Sequence, residues 1–511
     1  MPAKVIAIAM DSADGDLVER WMNAGLLPGL ARLRREGAWG TIRGGRSYRA
    51  EAPWTTLLTG CEPERTGYWT ELVFDPGSYR VEGRGAYDFV AHPQFHALGD
   101  ARRVAVVDVP QTRPSPDVAG LQVIGWGAHE PRHPSCSSPP ELFGELVDRH
   151  GAHPALRKDH ATFWNPVAVA RLRRQLRIGT RRRAAICADL LAREPWDLFV
   201  TAFSETHSAG HHLWHLSGDT GHPLYRRRRD DPLLEAYRAV DRATEALLEA
   251  AGAEAAAVVF SPYGMEAATE LPSMVFLPEL CYRLSFPGRR ALLPGGDGPP
   301  APVLRHPRAL TWERWLWGTR HPGEQGLRPP RECGELSYQP ATWYSGLWPR
   351  MRAFALPGGV EGYVRLNLAG RERDGIVPPD QYEAVCAEVV ERLHELRDPR
   401  TGRPVVSEVL RTRSGPDDGA PGLPDADLVV CWHPGPWDVV DSPALGRLGP
   451  VPFARTGTHV DRGFIAVRGP GVTPGSHLPH GRITDVTATI LDLVGAPPRQ
   501  PIDGRPLLAA A

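Results

Sequence analysis

Trp196-Asp197-Leu198-Phe199-Val200-Thr201-Ala202-Phe203, followed by Ser204-Glu205-Thr206-His207-Ser208-Ala209-Gly210-His211-His212-Leu213-Trp214-His215, sets an apolar run directly before four imidazoles. The run is short and apolar enough to read as a buried strand. His207 and His211 are spaced H-x-x-x-H, and residues four apart on a helix lie on one face, so both rings can point at one ion. Neutral imidazole is a common ligand for zinc and other first-row metals. Side chains delivered at the C-terminal end of a parallel strand also stand where open α/β sheets place their sites. Histidine-rich surface segments without a metal are the ordinary alternative, and position is what favours the metal.

Working outward, Val5-Ile6-Ala7-Ile8-Ala9-Met10 is a continuously apolar strand of the kind buried on both faces, with Asp11 at its tip. Asp14 to Glu36 has helical apolar spacing broken at Pro28. Strand, terminal carboxylate and helix together make the opening unit of a doubly wound fold. Further strands are expected at Val104–Val107, Ala255–Phe260, Tyr363–Asn367, Asp427–Val430 and Phe464–Val467. Helices are expected at Val167–Leu191, Leu233–Ala251, Gln381–Leu396 and Ile483–Val494. This alternation points to an α/β protein, a three-layer α/β/α sandwich on a mostly parallel central sheet. We expect one domain over residues 1–511, with a partly helical insertion at 115–190 and a lid-like insertion rich in Pro, Gly and Trp at 280–345.

Composition removes several classes of function. The chain has 511 residues and a formal net charge of -1, so nothing pulls it globally toward nucleic acid or an anionic membrane. Lysine occurs only at Lys4 and Lys158, and the rest of the positive charge is arginine. The seven cysteines include no C-x-x-C pair, which argues against a disulfide framework and for a reducing compartment. The first apolar run is too short for a signal peptide, and no run of 18 apolar residues exists. The expectation is a cytoplasmic protein with no membrane and no nucleic-acid partner, its oligomeric state open. Arg171, Arg173, Arg174, Arg177 and Arg181–Arg183 read first as a solvated helix face, and second as a surface for an anionic ligand or partner.

Taken in order, the motifs resemble the type I phosphodiesterase/nucleotide pyrophosphatase branch of the alkaline phosphatase superfamily. The blocks that carry the resemblance are Asp11, Trp54-Thr55-Thr56-Leu57-Leu58-Thr59-Gly60 with Pro63, Glu205 to Trp214, and Ser261 with Gly264-Met265. They continue through Asn367, Gly370-Arg371-Glu372, Gly457-Thr458-His459, and Asp485-Val486-Thr487 on to Asp503-Gly504-Arg505-Pro506. The resemblance implies an alkaline-phosphatase-like sandwich and two metals beside a threonine or serine nucleophile. Carried over position by position, the first metal would meet His207, His211 and His459, with a histidine where the family has an aspartate. For the second metal only Asp11 remains, because Pro262-Tyr263 stands in place of an Asp-His pair. The nucleophile position falls on Ala50.

One site kept and another lost implies a repurposed enzyme rather than a decayed one. The expectation is a mononuclear three-histidine site holding one divalent ion, zinc in first place with Mn2+ or Fe2+ as alternatives, and Asp11 as a further candidate ligand. Such an enzyme would act without a covalent nucleophile on a small phosphorylated, sulfated or carboxylated metabolite, in biosynthesis or tailoring. Glu51, Glu205 and Tyr263 are the acid/base candidates, and Arg49 would neutralise an anionic group. Two alternatives stand beside it. One is a conventional phosphodiesterase or pyrophosphatase with a shifted nucleophile at Ser47, Thr55 or Thr56. The other is a non-catalytic metal-bound protein that binds a ligand or partner.

Overall fold

The computed structural model describes residues 3–44, 51–127, 133–155, 166–267, 269–292, 312–320, 324–453 and 455–508. Its centre is the strand Ala3–Met10, paired in parallel with Trp196–Phe203 on one side and Ala256–Ser261 on the other. Side chains alternate between the two faces of a strand. Ile6, Ile8 and Met10 therefore enter one apolar core, while Val5, Ala7 and Ala9 enter a second. The first core is closed by the helices Gly15–Asn23, Pro166–Arg193 and Pro232–Ala251, and the second by Pro53–Thr59 and Ile483–Val494. Cover on both faces is why the strand is apolar at every position rather than at alternate ones.

The main sheet has nine strands. From one edge to the other they are Ser476–His477, Ala38–Arg43, Arg462–Arg468, Ala256–Ser261, Ala3–Met10, Trp196–Phe203, Gly99–Val107, Val118–Ile124 and Cys136–Ser138. Most pairings are parallel, as expected. Arg462–Arg468 is an exception, running antiparallel to both its neighbours. Its N-terminal end consequently lies at the C-terminal ends of the parallel strands, and this brings the residues just before it to Asp11 and the helix after Phe203.

The structure differs from the sequence expectation in two places. Within the 115–190 stretch, Val118–Ile124 and Cys136–Ser138 belong to the main sheet, and Leu142–His150 is a helix. The helix agrees with a partly helical stretch, whereas Cys136–Ser138 is three residues long and too short to show a period in the Pro- and His-rich sequence after Gly127. The strands expected at Tyr363–Asn367 and Asp427–Val430 do form, as Gly362–Leu366 and Leu428–Trp432, but outside the main sheet. They build a four-stranded antiparallel sheet in the order Ala353–Leu356, Gly362–Leu366, Leu428–Trp432, Val406–Arg411.

That smaller sheet has its own core, centred on Val364, Leu366, Leu428, Val430, Trp343 and Trp348, against which Trp315 and Trp317 pack. It is locked by a buried ion network. Arg371 makes two 2.7 Å bonds to the Asp427 carboxylate, and Glu372 accepts from Arg365 at 2.7 Å and from the Leu368 amide. The Gly370-Arg371-Glu372 block thus braces this sheet. All seven cysteines are free thiols. Among the described residues no helix is long and apolar enough to cross a membrane.

Candidate metal centre

The helix Glu205–Leu213 starts one residue after the strand Trp196–Phe203 ends, so its first turn sits at the sheet's C-terminal edge. His207 and His211 share a face, with ring centroids 4.6 Å apart. His459 comes from Thr458–Val460, which pairs antiparallel with Gly264–Glu266 and directly precedes the reversed strand Arg462–Arg468. Its ring lies 4.9 Å from His207 and 4.7 Å from His211, and one nitrogen from each ring lies within 4.8 Å of the others. Two glycines permit this approach. A Cβ on Gly457 would stand 2.4 Å from the Gly210 carbonyl oxygen, and one on Gly210 would stand 2.7 Å from Met265.

The tautomer of His211 follows from its partner. Nδ1 lies 2.8 Å from the Gly457 carbonyl oxygen, which can only accept, so Nδ1 carries the proton and Nε2 keeps its lone pair. His207 is held from behind. Its Nδ1 is 3.0 Å from Ser12 Oγ and 3.7 Å from Asp11 Oδ2, and Ser12 Oγ donates to Asp11 Oδ1 at 3.4 Å. A carboxylate behind an imidazole is the usual way to fix a ligand's tautomer and raise its basicity. Ser12 has φ 56°, unusual for a residue with a side chain, and this left-handed turn aims its hydroxyl at His207. Thr206 Oγ1 donates to the Asp11 carbonyl at 2.7 Å, tying the same turn to the helix start.

Asp11 stands behind His207 rather than among the converging nitrogens. Its Oδ1 accepts from Tyr263 Oη at 2.9 Å and Trp54 Nε1 at 3.1 Å. Burial and the neighbouring Asp11 charge push the Tyr263 phenol well above its ordinary range, so it holds its proton and donates. Tyr263, expected as an acid or base, is thereby committed to Asp11, with its ring against His459 at 4.9 Å.

Glu205 faces elsewhere. Arg183 Nε donates to both its oxygens at 3.2 Å, and His153 Nε2 lies 3.2 Å from Oε1. Arg183 also reaches Asp108 at 2.5 Å, and Asp108 accepts from the Trp126 and Gly127 amides at 2.7 Å. Burial alone would raise the Glu205 pKa, but Arg183 and His153 outweigh it and hold the group ionised. The Glu205 carboxylate, expected as an acid or base, is instead part of a closed ion cluster. Arg183 is wholly buried there, an exception within a helix face read as solvated.

The remaining candidates divide by location. Glu51 Oε1 accepts from the Val360 amide at 3.1 Å, joining its segment to the loop before Gly362–Leu366. Thr55 and Thr56 are buried in the helix Pro53–Thr59, with Thr55 Oγ1 3.4 Å from Gln111. Arg49, Ala50, Ser47 and Tyr48 lie outside the described residues. Sequence reasoning missed Arg455, whose Nη1 is 3.4 Å from His211 Nε2 and 2.9 Å from Glu270. Its place two residues before Gly457-Thr458-His459 was the only available signal.

A family model for type I phosphodiesterase / nucleotide pyrophosphatase matches residues 5–281, more than half of the chain. The chain belongs to this family. Among solved structures, phosphonoacetate hydrolase from Sinorhizobium meliloti 1021, in complex with phosphonoformate, is similar with TM-score 0.50 and 15% identity over 97% of this chain and 96% of that one. Human ectonucleotide pyrophosphatase / phosphodiesterase 5 is similar with TM-score 0.48 and 11% identity, over 98% of this chain and 97% of its own. At 15% identity the likeness to the hydrolase concerns the fold alone. No curated protein matches the sequence. Within the type I phosphodiesterase family, this chain offers three imidazoles as a group that could hold a metal ion.

Proposed function

We propose that this family member is a metal-dependent enzyme with a single ion held by His207, His211 and His459. It acts on a small anionic metabolite without a covalent enzyme intermediate. The observation that carries this reading is the convergence of three imidazoles beside an Asp11 carboxylate already engaged by Tyr263 and Trp54. The donor set of three imidazole nitrogens fits a divalent borderline ion, zinc first, which His207, His211 and His459 would hold. When bound, the ion supplies Lewis-acid polarisation of a substrate or water oxygen.

The protein's own residues supply orientation and charge. Gly457 holds His211 in the Nδ1–H tautomer, and the Asp11–Ser12 pair holds His207. Arg455, at the edge of the trio, contributes a guanidinium suited to a phosphoryl, sulfonyl or carboxylate oxygen. Its partner Glu270 limits the net positive charge and keeps the side chain in one orientation. Glu51 is the remaining acid/base candidate.

The test is turnover of bis-p-nitrophenyl phosphate, phosphonoacetate and nucleotides by the metal-loaded chain and its variants. Activity is expected to fall to background with His207→Ala or a chelator, and to survive Thr55→Ala, Thr56→Ala and Ser47→Ala singly. Abolition by one of those three hydroxyl substitutions, with metal content unchanged, would instead establish the conventional covalent route.

A further inference from the structure

The arginine face of the helix Pro166–Arg193 is only half of a larger feature. This helix and Pro232–Ala251 lie side by side, and a groove of about 570 Å³ runs between them. Arg173, Arg174 and Arg177 line one wall, and Arg238 and Arg242 line the other. Spacings of three and four residues put each set on a single helix face. Glu235 is the one carboxylate among the lining residues, and it is bonded to Arg173 at 2.8 Å. The floor is apolar, made by Leu176, Leu213, Ala236 and Ala239.

A solvated face, the first reading from sequence, explains one helix carrying arginines. It does not explain two helices, distant in the chain, turning their arginines toward the same groove. Arg173 is paired with both Asp230 and Glu235 at 2.8 Å, and the exposed Arg174, Arg177 and Arg242 leave the groove an excess of positive charge that a bound anion would neutralise. Guanidinium groups beside an apolar floor also suit a ligand with several anionic groups on a flat or apolar body, because the body can cover the half-buried Ala236 and Ala239, beneath which Leu176 and Leu213 are already buried, while the forks take the oxygens. We propose that this groove is a second binding site, separate from the histidine trio, for a small amphiphilic polyanion.

Pyrene-1,3,6,8-tetrasulfonate is a suitable probe, being flat, apolar in its body, fourfold anionic and free of any hydrolysable ester. Fluorescence titration of the full chain at about 0.1 M salt is expected to show saturable binding of one equivalent. The triple variant Arg174→Ala/Arg177→Ala/Arg242→Ala should weaken binding at least tenfold while the circular dichroism spectrum is unchanged. The variant His207→Ala/His211→Ala should bind as the parent does, which separates this site from the metal centre. A control triple at the exposed Arg35, Arg84 and Arg403 should leave the affinity within twofold. Absence of saturable binding would overturn the proposal. So would equal weakening by the control triple, or loss of binding in the histidine variant.

Discussion

Glu205 and His207 are two residues apart on one helical turn, yet they belong to opposite kinds of site. Glu205 enters a closed cluster with Arg183, Asp108 and His153, in which the charges face each other. His207 enters an open one, in which nitrogens of His207, His211 and His459 point inward and their supports, Ser12 and Gly457, stand outside. A closed cluster turns its opposite charges onto one another and stabilises the fold around it. An open one converges on a point, with a nitrogen from each of three rings within 4.8 Å of the others. This difference in arrangement, more than residue type, separates a brace from a reactive centre in this molecule.

The largest expected effect lies at the open cluster. His211→Asn, whose side-chain amide can still donate to the Gly457 carbonyl, should lower metal affinity by at least about 10³-fold, well beyond the 10–100-fold carried by an outer partner of a ligand, with the melting temperature of the metal-free protein little changed. Isothermal titration and thermal melts check both halves. A comparable loss of fold stability would make the trio a brace like the other cluster.

At the closed cluster the balance should reverse. Arg183→Met strands the Asp108 and Glu205 charges in the interior, and breaking a buried pair in this way costs about 3–5 kcal/mol. Urea unfolding should show that loss, while the folded fraction at low temperature still takes up metal. A normal unfolding midpoint would mean that the cluster carries little of the fold.

A smaller effect sharpens the contrast from within the open site. Ser12→Ala removes the hydroxyl between His207 and Asp11 and should weaken metal binding by about 10–100-fold, the range typical of groups that hold a ligand from behind. Unchanged affinity would show that Asp11 orients His207 without Ser12.

The parts of this picture legible in the sequence were those with local signatures. Val5–Met10 is apolar at every position because both its faces are covered, and His207 with His211 needed only a helical turn to meet. His459 was reachable only through the family resemblance, since no local pattern says that the strand after it runs backward in the sheet. The smaller antiparallel sheet was hidden for a related reason. Gly362–Leu366 and Leu428–Trp432 are short apolar runs, and such a run does not state which sheet it joins. The direction of Glu205 was equally invisible, because its partner Arg183 is one arginine in a row of them and only tertiary contact shows that it is buried.

In the proposed centre three imidazoles serve one ion while Asp11 stands behind them. Elemental analysis of the purified protein, together with Asp11→Asn and His207→Ala, tests this most directly. One equivalent of metal per chain is predicted for the parent and for Asp11→Asn after saturation, and none for His207→Ala. Two equivalents in the parent, falling to one in Asp11→Asn, would show a two-metal centre with Asp11 as a ligand and would contradict the account.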